Sequence, residues 1–184
     1  MAALMAHDLY VGITTWNSAA FLPHSLAALR RNTDERRTRL MILDNFSTDN
    51  TVEIARRFGA EVVQRHSSQA MALADLFNFS RSELTLLLHA DVVLLTPEWL
   101  EVCAQHLDGI VALVSPEDIG CGPFTRPWGR EKPESSFLLF RTALARPTRQ
   151  WQWRQRFKRL ALRHRSRQRL LRQTRQTFSH ILPQ

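Results

Sequence analysis

Three stretches of the chain put chemistry-bearing side chains directly after apolar runs. His89 and Asp91 interrupt Leu84 to Leu95 (LTLLLHADVVLL), Asp44 and Asn45 follow Leu40 to Leu43, and Thr15 and Asn17 close a run that begins at Leu9. Apolar runs rich in Leu and Val read as strands buried on both faces, and such strands belong to mostly parallel sheets. Ligands of those sheets collect beyond the carboxyl ends of the strands, so an acid standing where a run stops is placed to meet one. A charge on a solvated turn is the other reading of Asp91, and spacing alone leaves both open.

The elements that must position these residues alternate along the first half of the chain. Leu9 to Thr15 reads as a first strand, followed by Ser18 as a cap and a helix from Ala19 through Phe21, Leu22, Leu26 and Leu29 to Arg31. After a charged loop, Leu40 to Leu43 is a second strand. Thr48 or Asp49 is expected to cap a helix through Val52, Ile54, Ala55 and Phe58, which Gly59 stops. Ala60 to Gln64 reads as a third strand, Ser67 to Phe79 as a helix and Leu84 to Leu88 as a fourth strand. Three strand–helix–strand crossings predict a doubly wound parallel sheet, because each crossover covers one face. Thr96 is expected to cap a helix that opens at Pro97 and runs through Leu107. Ile110 to Val114 and Ser136 to Arg141 read as a fifth and a sixth strand, separated by a long loop rich in Pro and Gly. No Gly-x-Gly-x-x-Gly follows the first strand, so the dinucleotide fingerprint is missing.

Charge divides the chain. All 17 acidic residues lie at or before Glu134, whereas Ser135 to Gln184 carries 13 of the 25 basic residues and no acid. The net charge of +8 therefore belongs to the tail, and two domains are expected: 1–146 as the folded α/β domain and 147–184 as an Arg-rich helical or disordered tail. Cys103 and Cys121 make neither a disulfide framework nor a metal spacing, which suits reducing surroundings. Without a basic, apolar leader, export is not expected, and His89 and Asp91 break the longest apolar run below the length of a membrane span. The expected location is the cytoplasm, with peripheral contact to the inner face of the membrane open to the tail.

Four pieces in order resemble family 2 of the inverting glycosyltransferases, which have the GT-A fold. They are Thr-Thr-Trp-Asn at the end of the first strand, Leu-Asp-Asn-Phe-Ser-Thr-Asp-Asn-Thr after the second, His-Ala-Asp after the fourth, and Pro-Glu-Trp-Leu beyond it. The resemblance covers about three quarters of the chain. It implies an α/β, Rossmann-like nucleotide-diphospho-sugar transferase fold, a mostly parallel sheet with helices on both faces, followed here by the basic tail. The family usually shows Asp-Asp-Gly-Ser-Thr-Asp in the second piece and Asp-x-Asp in the third.

By that resemblance Asp91 matches the acid that ligates a divalent cation, Mn²⁺ or Mg²⁺, and the cation neutralises the departing diphosphate. His89 replaces the acid that faces the donor ribose; the alternative for it is a strand-end histidine bonded to nearby backbone. Asp44 and Asn45 stand where the family reads base and ribose, Thr15 and Asn17 line the same edge, and Asp75 lies near a further polar donor contact. Ser47 and Asp49 are expected to cap rather than to bind. An inverting transfer also needs a carboxylate as general base, which the family supplies beyond the sixth strand. This chain has no acid there, and Glu131 and Glu134 are the nearest candidates.

The activity implied is transfer of a sugar from a nucleotide-diphosphate donor to a glycan or lipid-linked acceptor, in polysaccharide or cell-envelope biosynthesis. The alternative is a non-catalytic domain of this fold, acting as an adaptor through a tail that binds membrane or nucleic acid. The tail carries Trp151, Trp153, Phe157, Leu160 and Leu171 among its arginines, with Arg167 interrupting the apolar stripe. A basic amphipathic segment of this kind suits an anionic membrane surface, and nucleic acid is the partner not expected.

Overall fold

The computed structural model describes residues 9–107, 111–116 and 135–145, all within the first of two units into which the chain divides, Met1–Pro147. The tail and the candidate bases Glu131 and Glu134 lie outside the described residues. Six strands form one sheet in the order β3-β2-β1-β4-β6-β5. They are β1 (Leu9–Thr15), β2 (Thr38–Asp44), β3 (Glu61–Gln64), β4 (Leu84–His89), β5 (Leu113–Val114) and β6 (Phe137–Arg141). The helices are α1 (Leu22–Arg31), α2 (Thr51–Arg57), α3 (Gln69–Phe79), α4 (Trp99–Ala104) and α5 (Thr142–Ala145).

β1 runs parallel to β2 and β4, and β2 parallel to β3, as the crossovers require. β6 pairs antiparallel with both β4 and β5, so it alone opposes the other five strands. The sheet is mostly parallel, as expected. The reversal brings β6 in from the carboxyl edge: Phe137 lies opposite Leu88, and the backbone N–H of His89 donates to Ser136 O at 3.0 Å.

Alternate residues of each strand pack on opposite faces. On one face Leu9, Val11 and Ile13 of β1 and Leu84, Leu86 and Leu88 of β4 meet Leu22, Leu26 and Leu29 of α1, Ala55 of α2 and Trp99 of α4. The other face is covered by α3, whose Leu76 approaches the backbone of Gly12. A Cβ at Gly12 would stand 3.0 Å from Leu76 Cβ and 3.0 Å from Leu87 Cδ2, so this close approach requires glycine. Phe77 of α3 meets Phe140 of β6 edge-on, with ring centroids 5.0 Å apart. Among the described residues no helix is long and apolar enough to cross a membrane.

At α1 and α4 the expected caps are not used, whereas at α2 one of the two expected caps is. Ser18 does not cap α1, which begins at Leu22. Its carbonyl accepts from the N–H groups of Phe21 and Leu22, while its hydroxyl takes the N–H of Trp16. At α2 the expectation holds for Asp49: although Asn50 directly precedes the helix, the capping oxygen is Asp49 Oδ1, which accepts from Thr51 N at 3.0 Å. α4 starts after Glu98, without a bond from Thr96. Of the described residues in the fifth strand expected from Ile110 to Val114, Leu113 and Val114 form β5. Cys103 is half-buried and burial pushes its thiol pKa up, which suits an idle thiol.

Candidate functional site

The carboxyl ends of β1 and β2 are knitted together by Asp44. It is the register partner of Thr15 and is fully buried. Its Oδ1 accepts from Thr15 Oγ1 at 2.8 Å and from Ser47 Oγ at 2.5 Å. Its Oδ2 accepts from Ser47 N at 2.8 Å and Gln64 Nε2 at 3.2 Å. One carboxylate thus joins β1, β2, the turn after β2 and β3. Four donors at its two oxygens satisfy the charge where water is absent.

A second layer of bonds ties the two loops beyond these strands. Asn17 takes the left-handed conformation at φ 47°, which a short polar side chain tolerates. Its N–H donates to Ser47 Oγ at 2.8 Å, and its Oδ1 accepts from Thr48 N at 2.8 Å. Asp49 reaches back with Oδ2 to the N–H of Ala19 at 3.0 Å. Burial opposes its charge, but hydrogen bonds from the Thr51 hydroxyl and from the Ala19 and Thr51 amides outweigh it and hold the carboxyl below the usual range. Phe46 is also left-handed, at φ 56°, a conformation that costs a bulky residue about 1–2 kcal/mol. Its ring lies against His66, with centroids 4.2 Å apart.

The β4 end is built otherwise. His89 closes the strand, partly buried, and its ring is hydrogen-bonded to the side-chain amide of Gln69. Asp91 is exposed two residues later, and among the described residues its side chain has no hydrogen bond or ion pair. The backbone after it is held from a distance: buried Asn32 donates Nδ2 to Leu94 O at 2.7 Å and accepts Trp99 Nε1 at its own carbonyl at 2.9 Å.

These strand ends surround a cleft of about 390 Å³. Thr15 and Asn17 from β1, Asn45 from β2, and His89 and Asp91 from β4 all line it, so five of the sequence-derived candidates converge. Two stand apart from the wall. Asp44 lies behind it with its oxygens already occupied, and Asp75, 5% exposed on α3, takes the guanidinium of Arg65 at 2.8 Å. Trp16, Phe21, Ser67 and Gln69 also line the cleft and were not among the candidates. A helix that follows a parallel strand starts at the carboxyl edge, so the polar residues between β3 and α3 could have been placed there from the strand order alone.

Among the described residues Asp91 is the one acid on the cleft wall, and no three His, Cys, Asp or Glu side chains converge. This donor set does not make an all-protein cage. It fits a hard cation that keeps several waters and takes its other oxygens from phosphate, with Asp91 as the carboxylate and His89 beside it.

The fold agrees with known proteins. A mannosyltransferase of Pyrobaculum calidifontis, solved with GDP-Man and Mn²⁺, superposes with a TM-score of 0.59 at 18% identity over 73% of this chain and 44% of that one. The TarS 1–349 fragment of S. aureus, solved with UDP-GlcNAc, gives 0.58 at 18% identity over 77% and 47%. Glucosyl-3-phosphoglycerate synthase of Mycobacterium tuberculosis, solved with UDP, gives 0.61 at 18% identity over 75% and 58%. The chain thus spans about half the length of these structures. No curated protein sequence matches it. The model of glycosyl transferase family 2 matches residues 10–179, most of the chain, and the chain belongs to that family.

Proposed function

We propose that residues 1–146 bind a nucleotide-diphospho-sugar in the cleft and that the chain transfers the sugar to a glycan or lipid-linked acceptor in polysaccharide or cell-envelope biosynthesis. One observation carries this reading: the ends of three adjacent strands deliver Thr15, Asn45, His89 and Asp91 to one cavity of about 390 Å³. Asp91 holds the divalent cation, Mn²⁺ or Mg²⁺, with His89 alongside. When bound, that cation neutralises the charge of the leaving diphosphate. Thr15 and Asn45 face base and ribose, while Asn17 keeps the β1 loop in place. Asp44 acts from behind the wall by fixing Thr15 and the turn that carries Asn45.

The acceptor side is supported by two aromatic faces at the cleft, Trp16 at 66% and Phe21 at 60% exposure, which suit sugar rings or acyl chain. Glu131 and Glu134 are the proposed sources of the general base. The basic segment 147–184 is proposed to rest on the inner face of the membrane, where lipid-linked acceptors reside. A thermal-shift screen of nucleotide-sugars with and without Mn²⁺ tests the reading. A donor that raises the melting temperature only with the metal supports it, and a melting temperature unmoved by every donor contradicts it.

A second reading, donor binding without turnover, is favoured by the lack of any Asp or Glu between Ser135 and Gln184. Donor hydrolysis or transfer that is abolished in the Glu131→Gln, Glu134→Gln double variant rules it out.

A further inference from the structure

Asn32 and Trp99 stand away from the cleft, yet they hold the segment that carries Asp91. Residues 90–98 join β4 to α4 without helix or strand. One turn opens the segment, with Val92 N donating to His89 O at 3.3 Å, and the His89 N–H is itself fixed on Ser136 O. Ala90 and Leu94 are buried in the core on either side of Asp91, while Asp91 is exposed. Burying Leu94 takes its carbonyl out of water as well, and a buried carbonyl left unpaired is costly. Asn32 Nδ2 meets that carbonyl at 2.7 Å, in a buried bond that crosses 62 positions of sequence.

Capping does not account for this asparagine. At the end of α1 Asn32 has φ −109°, outside the left-handed region in which a helix end favours Gly or Asn, so its backbone would accept other residues. Its side chain, in a residue only 9% exposed, is spent on Leu94 O. Trp99 completes the clamp from the far end of the segment. Its Nε1 donates to Asn32 O at 2.9 Å, and its ring stands edge-on to Phe137 of β6, with centroids 6.0 Å apart. Trp99 belongs to the Pro-Glu-Trp-Leu piece, none of whose residues line the cleft. A cation held by one protein carboxylate has no second acid to correct a misplaced one, so its affinity depends on where Asp91 stands. Leu94 is three residues beyond Asp91, at most about 11 Å of chain. Resting on the metal-binding reading of Asp91 above, we infer that Asn32 and Trp99 are positioning residues for the cation. They fix the course of residues 90–98 so that the Asp91 carboxylate is held at the cleft before metal and diphosphate arrive, and neither touches metal or donor.

Titration of the full chain with Mn²⁺ in the presence of UDP, and separately of GDP, followed by electron paramagnetic resonance, tests this because it reads the bound cation and not turnover. Asn32→Asp keeps the shape of the side chain but sets an oxygen against Leu94 O, and it should weaken Mn²⁺ binding by at least about tenfold. Trp99→Phe keeps a ring against Phe137 and removes the N–H to Asn32. It should weaken binding by at least about threefold, and it decides the matter if Asn32→Asp does not fold by its melting curve. Phe77→Leu, on the α3 face, lowers stability while leaving the clamp intact, and should bind Mn²⁺ within about twofold of the parent. Parent-like binding in folded Asn32→Asp or in Trp99→Phe, or an equal loss in Phe77→Leu, overturns the inference, and loss of binding in Asp91→Ala then leaves the metal reading standing. No Mn²⁺ bound by the parent with either nucleotide, or binding that survives Asp91→Ala, overturns the metal reading and the inference with it.

Discussion

The β1–β2 edge and the β4 edge of the cleft each present an aspartate after an apolar strand, and the two have opposite surroundings. Asp44 is fully buried and accepts from Thr15, Ser47 and Gln64, so its charge is spent on holding loops together. Asp91 is exposed on the cleft wall, with nothing among the described residues bonded to its carboxylate. Burial with a full set of donors makes an acid a fastener, whereas exposure at a strand end leaves its lone pairs for something outside the chain.

Substitutions can break that comparison, and the largest effect is expected at Asp44. Asp44→Ala removes the acceptor for four donors and should lower stability by about 3 kcal/mol in chemical denaturation. A loss below about 1 kcal/mol would make it no more structural than Asp91. Gly12 lies beneath both edges, where β1 meets α3. Gly12→Ala forces a Cβ against Leu76 and Leu87 and should cost about 2 kcal/mol by the same measurement. Phe46 sharpens the picture of the knitted turn. Because its φ is 56°, Phe46→Gly should be more stable than Phe46→Ala by about 1 kcal/mol, and equal stabilities would show that the turn relaxes instead.

The smallest effect concerns pH. Asp49 has its carboxyl pKa depressed in the folded state, so its contribution is fully present above the unfolded value and is lost as pH falls through the folded one. Melting temperatures of the parent chain should therefore fall more steeply below about pH 4 than those of Asp49→Asn. Parallel curves would remove Asp49 from the network.

Much of the frame was legible in the sequence. β1 and the start of β4 were readable because strands buried on both faces leave continuous apolar runs, and the crossovers dictated their parallel pairing. Nothing in the apolar residues of β6 encodes direction, so its reversal depends on pairing with β4. The strand ends announced which polar residues reach the carboxyl edge, but not which of them the chain would consume. Asp44 meets its donors across three strands, and Asp75 meets Arg65, ten positions earlier and on no shared periodicity. The cap of α2 by Asp49 was legible, because it is a contact two residues along the chain. Ser18 instead turns back to Trp16, and the second bond of Asp49, from Ala19, depends on a fold the local sequence does not contain.

On the proposed function, the free acid and not the buried one meets the metal and the donor. Calorimetry of a nucleoside diphosphate with Mn²⁺ on the parent chain and on Asp91→Ala, each with its melting curve, tests it directly. Asp91→Ala should keep its stability within about 0.5 kcal/mol of the parent while metal-dependent binding is lost. Unchanged binding in Asp91→Ala, or loss of binding only through loss of the fold, would contradict it.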